Sequence, residues 1–235
     1  MALFAMSDLH LAKSIDKPMD IFGNRWQDYM ERIEENWTRL VGEEDTVIIN
    51  GDVSWATYLA ECEADFSFLH SLPGKKILMK GNHDYWWESI TKMRGYVAEK
   101  GFGSIELLHN NAYVCGDVAI AGNRGWNDPS IEGFGAEDRK IFDRELIRAE
   151  LSLEEAAKSG ASTLVFATHY PPITRLKQVN EAYAKLFDKY GVRVCLYGHL
   201  HAAGFSNALE GDFNGVIYKL VSADYLQFSP YRITF

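Results

Sequence analysis

The chain has 235 residues, 47% of them hydrophobic, and a formal net charge of −9. This length and apolar content suffice for one large domain with a full core, and we predict a single domain over residues 1–235. The acidic balance argues against a dedicated binder of long nucleic acids, because contacts to many phosphates need a basic face.

The three cysteines and the start of the chain bear on location. Cys62, Cys115 and Cys195 are far apart and form no CxxC pair, so neither a disulfide framework nor a zinc ribbon is indicated. The first residues have no basic segment before an apolar run, and no apolar stretch reaches the length of a membrane span. We therefore expect a cytoplasmic protein with no membrane partner.

Extended and helical patterns alternate along the first part of the chain. Short apolar runs predict strands, and apolar residues three or four positions apart predict helices. The segment 11–24 contains Pro18 and Gly23 and indicates a loop. The predicted elements are a strand at 3–7, a helix at 25–40, a strand at 46–50, a helix at 58–72, a strand at 76–80 and a helix at 87–100.

The second part begins with shorter strands. Gly116-Asp117 indicates a hairpin turn, and Ser152 with Glu155 forms a capping-box pattern that allows a break in a long helix. The predicted elements are strands at 105–108, 112–115 and 118–121, a helix at 136–158, a strand at 163–167, a helix at 179–190, and strands at 192–197, 216–221 and 231–235.

This order of elements predicts the fold class. Strands that alternate with helices indicate βαβ units and a largely parallel sheet. Hairpin-like segments at 105–122 and 213–222 would add antiparallel strands. The predicted class is therefore α/β (α+β), with one mixed sheet or two stacked sheets and helices outside.

Five apolar runs end in side chains that can bind a metal ion. Ligands of open α/β sheets bind beyond the carboxyl ends of the strands, so we expect these side chains to meet in one pocket. A donor set of Asp, His and Asn without Cys favours Mn, Fe or Zn in six-coordinate sites over a structural zinc site. The residues are Asp8 and His10, Asp52, Asn82 with His83, His169, and His199 with His201.

The spacing of these residues suits a pair of ions. In Asp8-x-His10 and His199-x-His201, an extended backbone would place both side chains on one face. A single carboxylate such as Asp52 can bridge two cations. Two cations about 3.5–4 Å apart stabilise both the attacking and the leaving oxygen of an in-line displacement at phosphorus.

The motif set resembles that of the calcineurin-like metallophosphoesterases. Its members occur here in the family's order from residue 8 to residue 201, which is most of the chain. The resemblance implies a four-layer fold, two mixed sheets between helices, with a dinuclear metal centre. It implies that Asp8, His10, Asp52 and His201 hold one ion, and that Asp52, Asn82, His169 and His199 hold the other.

The resemblance also implies a reaction, the hydrolysis of a phosphomonoester or phosphodiester by a metal-bound hydroxide. His83 would protonate the leaving oxygen, and Asp84 would orient His83 by a hydrogen bond. Two divalent ions are implied, with manganese favoured over iron or zinc. The purple acid phosphatase branch has a tyrosine where this chain has Trp55 and lacks the histidine found here as His10, so we expect no iron–tyrosinate centre.

Alternatives remain open at this stage. A scaffold that binds proteins without turnover is the second hypothesis, although such relatives usually lose metal ligands. The expected partner is a phosphorylated small molecule or nucleotide. Arg124 and Arg175 could bind phosphate, but we favour a solvated surface role for both. Four tryptophans near the motifs could stack on a substrate or seal the loops, and we favour sealing; they are Trp55, Trp86, Trp87 and Trp126.

Overall fold

The computed structural model describes residues 1–17 and 19–235, so Pro18 of the predicted loop lies outside the described residues. Within them are five α-helices: α1 Tyr29–Leu40, α2 Glu63–Ser71, α3 Ile90–Glu99, α4 Ala136–Ala157 and α5 Glu181–Tyr190. The first six strands are β1 Leu3–Met6, β2 Thr46–Ile49, β3 Lys75–Leu78, β4 Ile105–Leu107, β5 Tyr113–Cys115 and β6 Val118–Asn123. The remaining strands are β7 Thr163–Thr168, β8 Val192–Tyr197, β9 Gly211–Phe213, β10 Val216–Leu220 and β11 Tyr231–Arg232.

The strands form two mixed sheets. The first has the order β11-β1-β2-β3-β4, in which β1 to β4 are parallel and β11 is antiparallel. The second has the order β5-β6-β7-β8-β10-β9, with parallel strands at its centre and an antiparallel strand at each edge. Parallel strands need crossovers, which the helices supply.

The core has three layers, because successive side chains of each strand point to opposite faces of its sheet. Ala5 and Ile48 of the first sheet pack with Val165 and Leu196 of the second, so one face of each sheet is buried against the other. Residues of the opposite parity, such as Phe166, pack under the helices instead. Helices α1, α2 and α3 cover the outer face of the first sheet, and α4 and α5 cover that of the second. The four-layer arrangement of two mixed sheets flanked by helices is thus confirmed.

Two local predictions are wrong. Residues 105–107 form no hairpin with the segment that follows, because β4 pairs in parallel with β3 in the first sheet while β5 and β6 belong to the second. The long helix α4 has no break at Ser152. The Ser152 hydroxyl instead donates to the Asn111 carbonyl at 2.6 Å and accepts from the Gly122 amide at 2.8 Å, which fixes α4 on β6.

The turn predicted at Gly116-Asp117 is confirmed, and a second hairpin joins β9 to β10 over 211–220, slightly before the predicted hairpin-like segment 213–222. Gly116 has φ 61° in the turn between β5 and β6, and Gly215 has φ 81° between β9 and β10. Both values lie in the left-handed region that glycine adopts without steric cost. In the described part of the chain, no helix combines the length and apolarity that crossing a bilayer requires.

Candidate metal centre

The predicted ligands lie where strands of both sheets end at a common edge. Asp8 follows β1, Asp52 follows β2 and Asn82 follows β3 in the first sheet. His169 follows β7 directly and His199 comes two residues after β8 in the second. Because the two sheets stack face to face, these loops meet across the layer between them.

Close contacts join the acidic residues to the imidazoles. The Nε2 atom of His201 lies 3.2 Å from Oδ1 of Asp8. The Oδ2 atom of Asp52 lies 3.9 Å from Nε2 of His10 and 3.4 Å from Nε2 of His169. Asp52 therefore sits between two imidazoles, the position that a bridging carboxylate needs.

Asn82 and the backbone complete the cluster. The Oδ1 atom of Asn82 lies 2.7 Å from Nε2 of His169 and 2.9 Å from Nδ1 of His199. The amide of His199 donates to Oδ2 of Asp8 at 3.0 Å. All seven predicted ligands thus belong to one connected group of side chains.

Two sets of donor atoms lie close enough to share an ion. One atom from each of Asp8, His10 and His201 lies within 4.8 Å of the others, and the same holds for Asp8, Asp52 and His169. Asp8 belongs to both sets. Asp52 belongs only to the second set, so its role as the carboxylate shared by two ions, like the division of ligands between them, stays a prediction.

Several ligand positions have unusual backbone conformations. The φ angles of Asp8, His10, Asp52 and His199 are 58°, 47°, 51° and 70°. Non-glycine residues rarely adopt this region, and such residues cluster at functional sites, where the surrounding structure holds them in place. The strand ends turn sharply at these residues and direct their side chains into the shared pocket.

Two glycines make the close approach of the loops possible. A side chain at Gly81 would collide with the backbone and carboxylate of Asp52, and one at Gly198 would collide with Ser7 and Asp8. The glycine before each histidine motif is therefore required by packing against the ligand loop of a neighbouring strand.

Asp84 has a role other than the one predicted. Its carboxylate accepts hydrogen bonds from the backbone amides of Asp52, Val53 and Gly81, at 2.9, 2.8 and 2.7 Å. Because both oxygens bond to these loop amides, Asp84 joins the loops after β2 and β3 rather than orienting the ring of His83. The prediction that Asp84 orients His83 through a hydrogen bond is therefore wrong, because the Asp84 carboxylate is buried among backbone amides.

Two residues outside the predicted set position ligands. The Nδ1 atom of His169 donates to the Asn50 carbonyl at 2.9 Å, and Nδ1 of His201 donates to Oδ1 of Asp224 at 2.8 Å. In each case Nδ1 is engaged and Nε2 faces the other predicted ligands, so Nε2 is the nitrogen that can bind a metal ion once it carries no proton. Asp224 follows β10, so a search for acidic residues after every predicted strand would have found it.

Burial keeps most of the imidazoles neutral. It lowers the pKa of His10 well below its ordinary value, the pKa of His169 to about 3 and the pKa of His199 to about 4. A neutral imidazole has a nitrogen lone pair free to bind a metal ion. The Nδ1 atom of His10 is moreover buried without a hydrogen-bond partner among the described residues.

The pKa values of the two neighbouring carboxyl groups, Asp52 and Asp8, are shifted in opposite directions. Burial and the neighbouring Asp84 and Asp8 raise the pKa of Asp52 well above its ordinary value. Burial alone would also raise the pKa of Asp8, but the neighbouring His201 holds the pKa of Asp8 well below the ordinary value for an aspartate. These clustered acids with neutral imidazoles are the donor set that divalent first-row metals bind, so the residues present fit such ions.

His83 lies beside the cluster at the pocket mouth. Its amide donates to Oδ1 of Asp52 at 2.8 Å, and its ring centroid is 5.6 Å from that of His10 and 4.7 Å from that of Trp55. Burial and the nearby Lys17 lower the pKa of His83. The ring is half-buried at the edge of the donor cluster.

The tryptophans divide into two groups. Trp86 and Trp87 are 1% and 7% exposed and pack in the core, as predicted. Trp55 stacks on the His10 ring at 4.5 Å and seals that ligand. Trp126 instead lines a cavity of about 380 Å³.

The cavity beside Trp126 opens next to the donor cluster. Its wall also includes Tyr170, His199 and Arg175, and the Tyr170 ring lies 4.2 Å from the His199 ring. Arg175 is exposed, as predicted. The surface prediction is wrong for Arg124, whose side chain is only 18% exposed because Trp126 and Glu145 cover it.

Sequence and structure comparisons agree with this geometry. The family model of the calcineurin-like phosphoesterases matches residues 1–203, and the chain belongs to that family. This membership and the donor cluster of Asp8, His10, Asp52 and His169 together support a phosphoesterase that binds divalent metal.

Solved structures share the fold at low sequence identity. A phosphopantetheinyl hydrolase from Mycobacterium tuberculosis is 14% identical with a TM-score of 0.59, covering 99% of this chain and 95% of its own. A protein of unknown function from Aquifex aeolicus is 15% identical with a TM-score of 0.52, covering 98% and 95%. A Thermus thermophilus protein is 15% identical with a TM-score of 0.54, covering 85% and 81%. No curated protein is similar enough in sequence to be matched to the chain.

Proposed function

We propose that the chain hydrolyses a phosphomonoester or phosphodiester of a small molecule or nucleotide and depends on two divalent cations. The observation that carries this proposal is the convergence of seven nitrogen and oxygen donors from the loops of both sheets, five of them linked through Asp52 and Asn82. When bound, divalent cations supply Lewis acidity that stabilises charge on phosphoryl oxygens and acidifies water. Manganese is the proposed metal.

The chain's own residues would hold the ions in two sets. Asp8, His10 and His201 would hold one ion, and Asn82, His169 and His199 the other, with Asp52 between them. Asp224 and the Asn50 carbonyl fix the two outer imidazoles, His201 and His169. Preorganised donors of this kind stabilise developing charge without rearranging during the reaction.

His83 is proposed to donate a proton to the leaving oxygen. Its lowered pKa makes the ring neutral in the free protein at pH 7. An anionic phosphoryl group nearby favours the charged imidazolium, so protonation would accompany substrate binding. The cavity beside Trp126 and Tyr170 is the proposed place for the leaving group, because its aromatic walls suit an organic ring or chain.

The structural neighbour described as a phosphopantetheinyl hydrolase supports a small-molecule phosphate as substrate class. The scaffold alternative is disfavoured because every predicted ligand is present and in contact with another. The free thiols Cys62, Cys115 and Cys195 support the proposed cytoplasmic location, where thiols stay reduced.

The test is hydrolysis by the purified chain with added Mn²⁺ and measured metal content. The substrates are p-nitrophenyl phosphate, bis(p-nitrophenyl) phosphate and p-nitrophenyl phenylphosphonate. We expect turnover of at least one, and loss of both metal and turnover in Asp52→Ala. Absence of turnover on all three with metal bound would favour the scaffold.

A matched pair of histidine variants tests the acid. His83→Ala should lower kcat by about 100-fold or more while metal content stays near that of the parent, since a positioned acid contributes about 10²–10⁴. His70→Ala is the control, because His70 lies in the last turn of α2 and bonds to Ser104 at 2.8 Å, outside the centre. Equal kcat in the two variants would remove His83 from the mechanism.

A further inference from the structure

A second cavity lies beside the metal centre and has a different character. Its volume is about 360 Å³, and it lies between the ends of β3, β4 and β6 and the helices α3 and α4. Its charged lining consists of Lys80, Arg124, Arg144, Arg148, Glu88 and Glu145. We call it the cationic cavity, because four basic side chains face two carboxylates.

This charge is unusual for the chain. The whole chain has a net charge of −9, so a cavity with an excess of basic side chains departs from its overall charge balance. The basic side chains of the cavity outnumber its carboxylates four to two. A concave site with such an excess of one sign of charge focuses the field and raises the local concentration of the opposite charge. The cationic cavity therefore favours an anionic ligand.

A buried carboxylate holds two of the guanidinium groups. Glu145 is 1% exposed, and its Oε1 atom lies 2.7 Å from Arg148 and 3.9 Å from Arg124. The Arg124 guanidinium also lies over the Trp126 ring, 4.7 Å from the centroid. Both guanidinium groups are thus positioned before any ligand binds, which lowers the entropic cost of binding.

Several basic groups of the cavity remain available to bind a ligand. The Nε atom of Arg124 is buried and has no hydrogen-bond partner among the described residues, an arrangement that costs free energy unless something binds there. Among residues 1–17 and 19–235, neither Lys80 nor Arg144 makes an ion pair within 4.0 Å. The amino end of α3, at Ser89 and Ile90, also lines the cavity and adds the positive end of a helix dipole.

The cationic cavity is physically connected to the donor cluster. The Arg124 carbonyl accepts hydrogen bonds from the amides of His169 and Tyr170, at 3.2 and 2.9 Å. Lys80 comes two residues before Asn82 in the same loop. A ligand held in the cavity would therefore contact the loops that carry two of the proposed metal ligands.

We propose that the cationic cavity binds a phosphate group. Arginine forks match phosphate geometry, and four basic groups suit a dianion better than a carboxylate. A volume of about 360 Å³ also exceeds what a lone phosphate fills and is within the usual range for small organic ligands. The phosphate is carried by a substrate that has a second phosphate group, or it is free inorganic phosphate.

Binding of inorganic phosphate tests the inference without requiring turnover. Isothermal titration calorimetry with inorganic phosphate is done on the full chain in two forms, one loaded with metal and one treated with chelator. In the chelated form, phosphate cannot bind through metal ions at the metal centre. We expect the chelated protein to keep a phosphate site that is weakened about tenfold or more in Arg144→Gln/Arg148→Gln. Arg144→Gln alone is the second variant, because Arg144 is exposed and makes no ion pair in the described chain, so its loss should not affect folding.

Lys140→Gln is the matched control. It removes one positive charge from α4 one turn before Arg144, where Lys140 is 70% exposed and pairs with Glu137. Its phosphate affinity should equal that of the parent. Absence of phosphate binding by the chelated parent, or equal binding by the control and both arginine variants, would overturn the inference.

A second measurement distinguishes the two sources of phosphate, and this part rests on the proposed function. Adenosine 5′-monophosphate and adenosine 3′,5′-bisphosphate differ by one phosphate group. We compare the ratio of kcat/KM for the bisphosphate to kcat/KM for the monophosphate. If this ratio exceeds one in the parent and falls about tenfold in Arg144→Gln/Arg148→Gln, the cavity binds a substrate phosphate. An unchanged ratio with weakened phosphate binding assigns it to free phosphate. Failure of the proposed function would abolish turnover but leave the titration unaffected.

Discussion

His201 shows that metal binding must compete with a proton. Burial alone would lower its pKa, but Asp8 and Asp224 on either side of the ring raise the pKa to about 10. The Nε2 atom that faces Asp8 therefore carries a proton at neutral pH. A metal ion can bind this nitrogen only after the proton leaves, so binding at this position releases a proton.

We therefore expect the affinity for Mn²⁺ to increase with pH. Because the pKa of His201 is raised, the protonated form is fully present near pH 7, and its competition is lost as pH rises toward 10. The affinity should increase by up to about tenfold per pH unit between pH 7 and 8.5, which is the slope for one displaced proton. Titration in two buffers of different ionisation enthalpy measures the protons released.

Asp224→Asn is the control for this proton. It removes one of the two carboxylates that raise the pKa of His201. The variant should show a shallower pH dependence of Mn²⁺ affinity than the parent. Equal slopes, or no proton release by the parent, would contradict the assignment.

At the scale of elements, the strand-end turns place the ligands. Strand β8 ends at Tyr197, and Gly198 lets the chain pass directly over Ser7 and Asp8 after β1. The amide of His199 then bonds to the Asp8 carboxylate at 3.0 Å. The turn of one sheet is thus shaped around a ligand of the other.

Gly198→Ala tests this packing. The new methyl group would collide with Ser7 and Asp8, and displacement of Asp8 would move a predicted metal ligand. We expect metal content to fall by half or more and the free energy of unfolding to decrease by about 1–3 kcal/mol, as in overpacked cores. Metal analysis and urea denaturation measure the two effects. Gly204→Ala is the control, because a methyl group at Gly204 would meet only the Leu200 side chain, at 3.8 Å. Equal metal content and stability in the Gly198 and Gly204 variants would contradict this prediction.

At the scale of the whole molecule, the two sheets are joined by more than apolar packing. Asn50 follows β2 of the first sheet, and its Nδ2 atom donates to the carbonyls of Leu196 and Thr168 in the second, at 3.0 and 3.3 Å. The Asn50 carbonyl accepts from the ring of His169. One buried side chain therefore fixes the relative position of the loops that form the centre.

Asn50→Ala should weaken both stability and metal binding. Loss of the amide leaves two buried carbonyls without their donor, which costs about 1–3 kcal/mol of unfolding free energy. Urea denaturation with chelator present measures stability apart from metal binding, and titration with Mn²⁺ measures affinity. Asn207→Ala, at an exposed position, should change unfolding little. Unchanged stability in the Asn50 variant would show that apolar packing alone positions the sheets.

Much of the fold and of the site could be predicted because local patterns carry the information. Short runs rich in apolar and β-branched residues marked β2 and β8 as strands, and the polar residues after them marked the edge where the predicted ligands meet. Asp224 also follows a predicted strand. The Asn50 side chain could not be assigned, because a buried amide bonds to carbonyls more than a hundred residues away.

The sequence by itself determined the order of most elements and the polar residues at the strand ends, and the resemblance of its motifs to a known family implied the four layers. Only the tertiary structure decided that β4 joins the first sheet, that Asp84 binds loop amides, and that Arg124 is enclosed in a cationic cavity. The physical reason is the separation along the chain over which each kind of interaction acts. Strand patterns and turn residues act between neighbours in the chain, whereas the partners of a buried polar group depend on how two sheets pack, which no short stretch of sequence specifies.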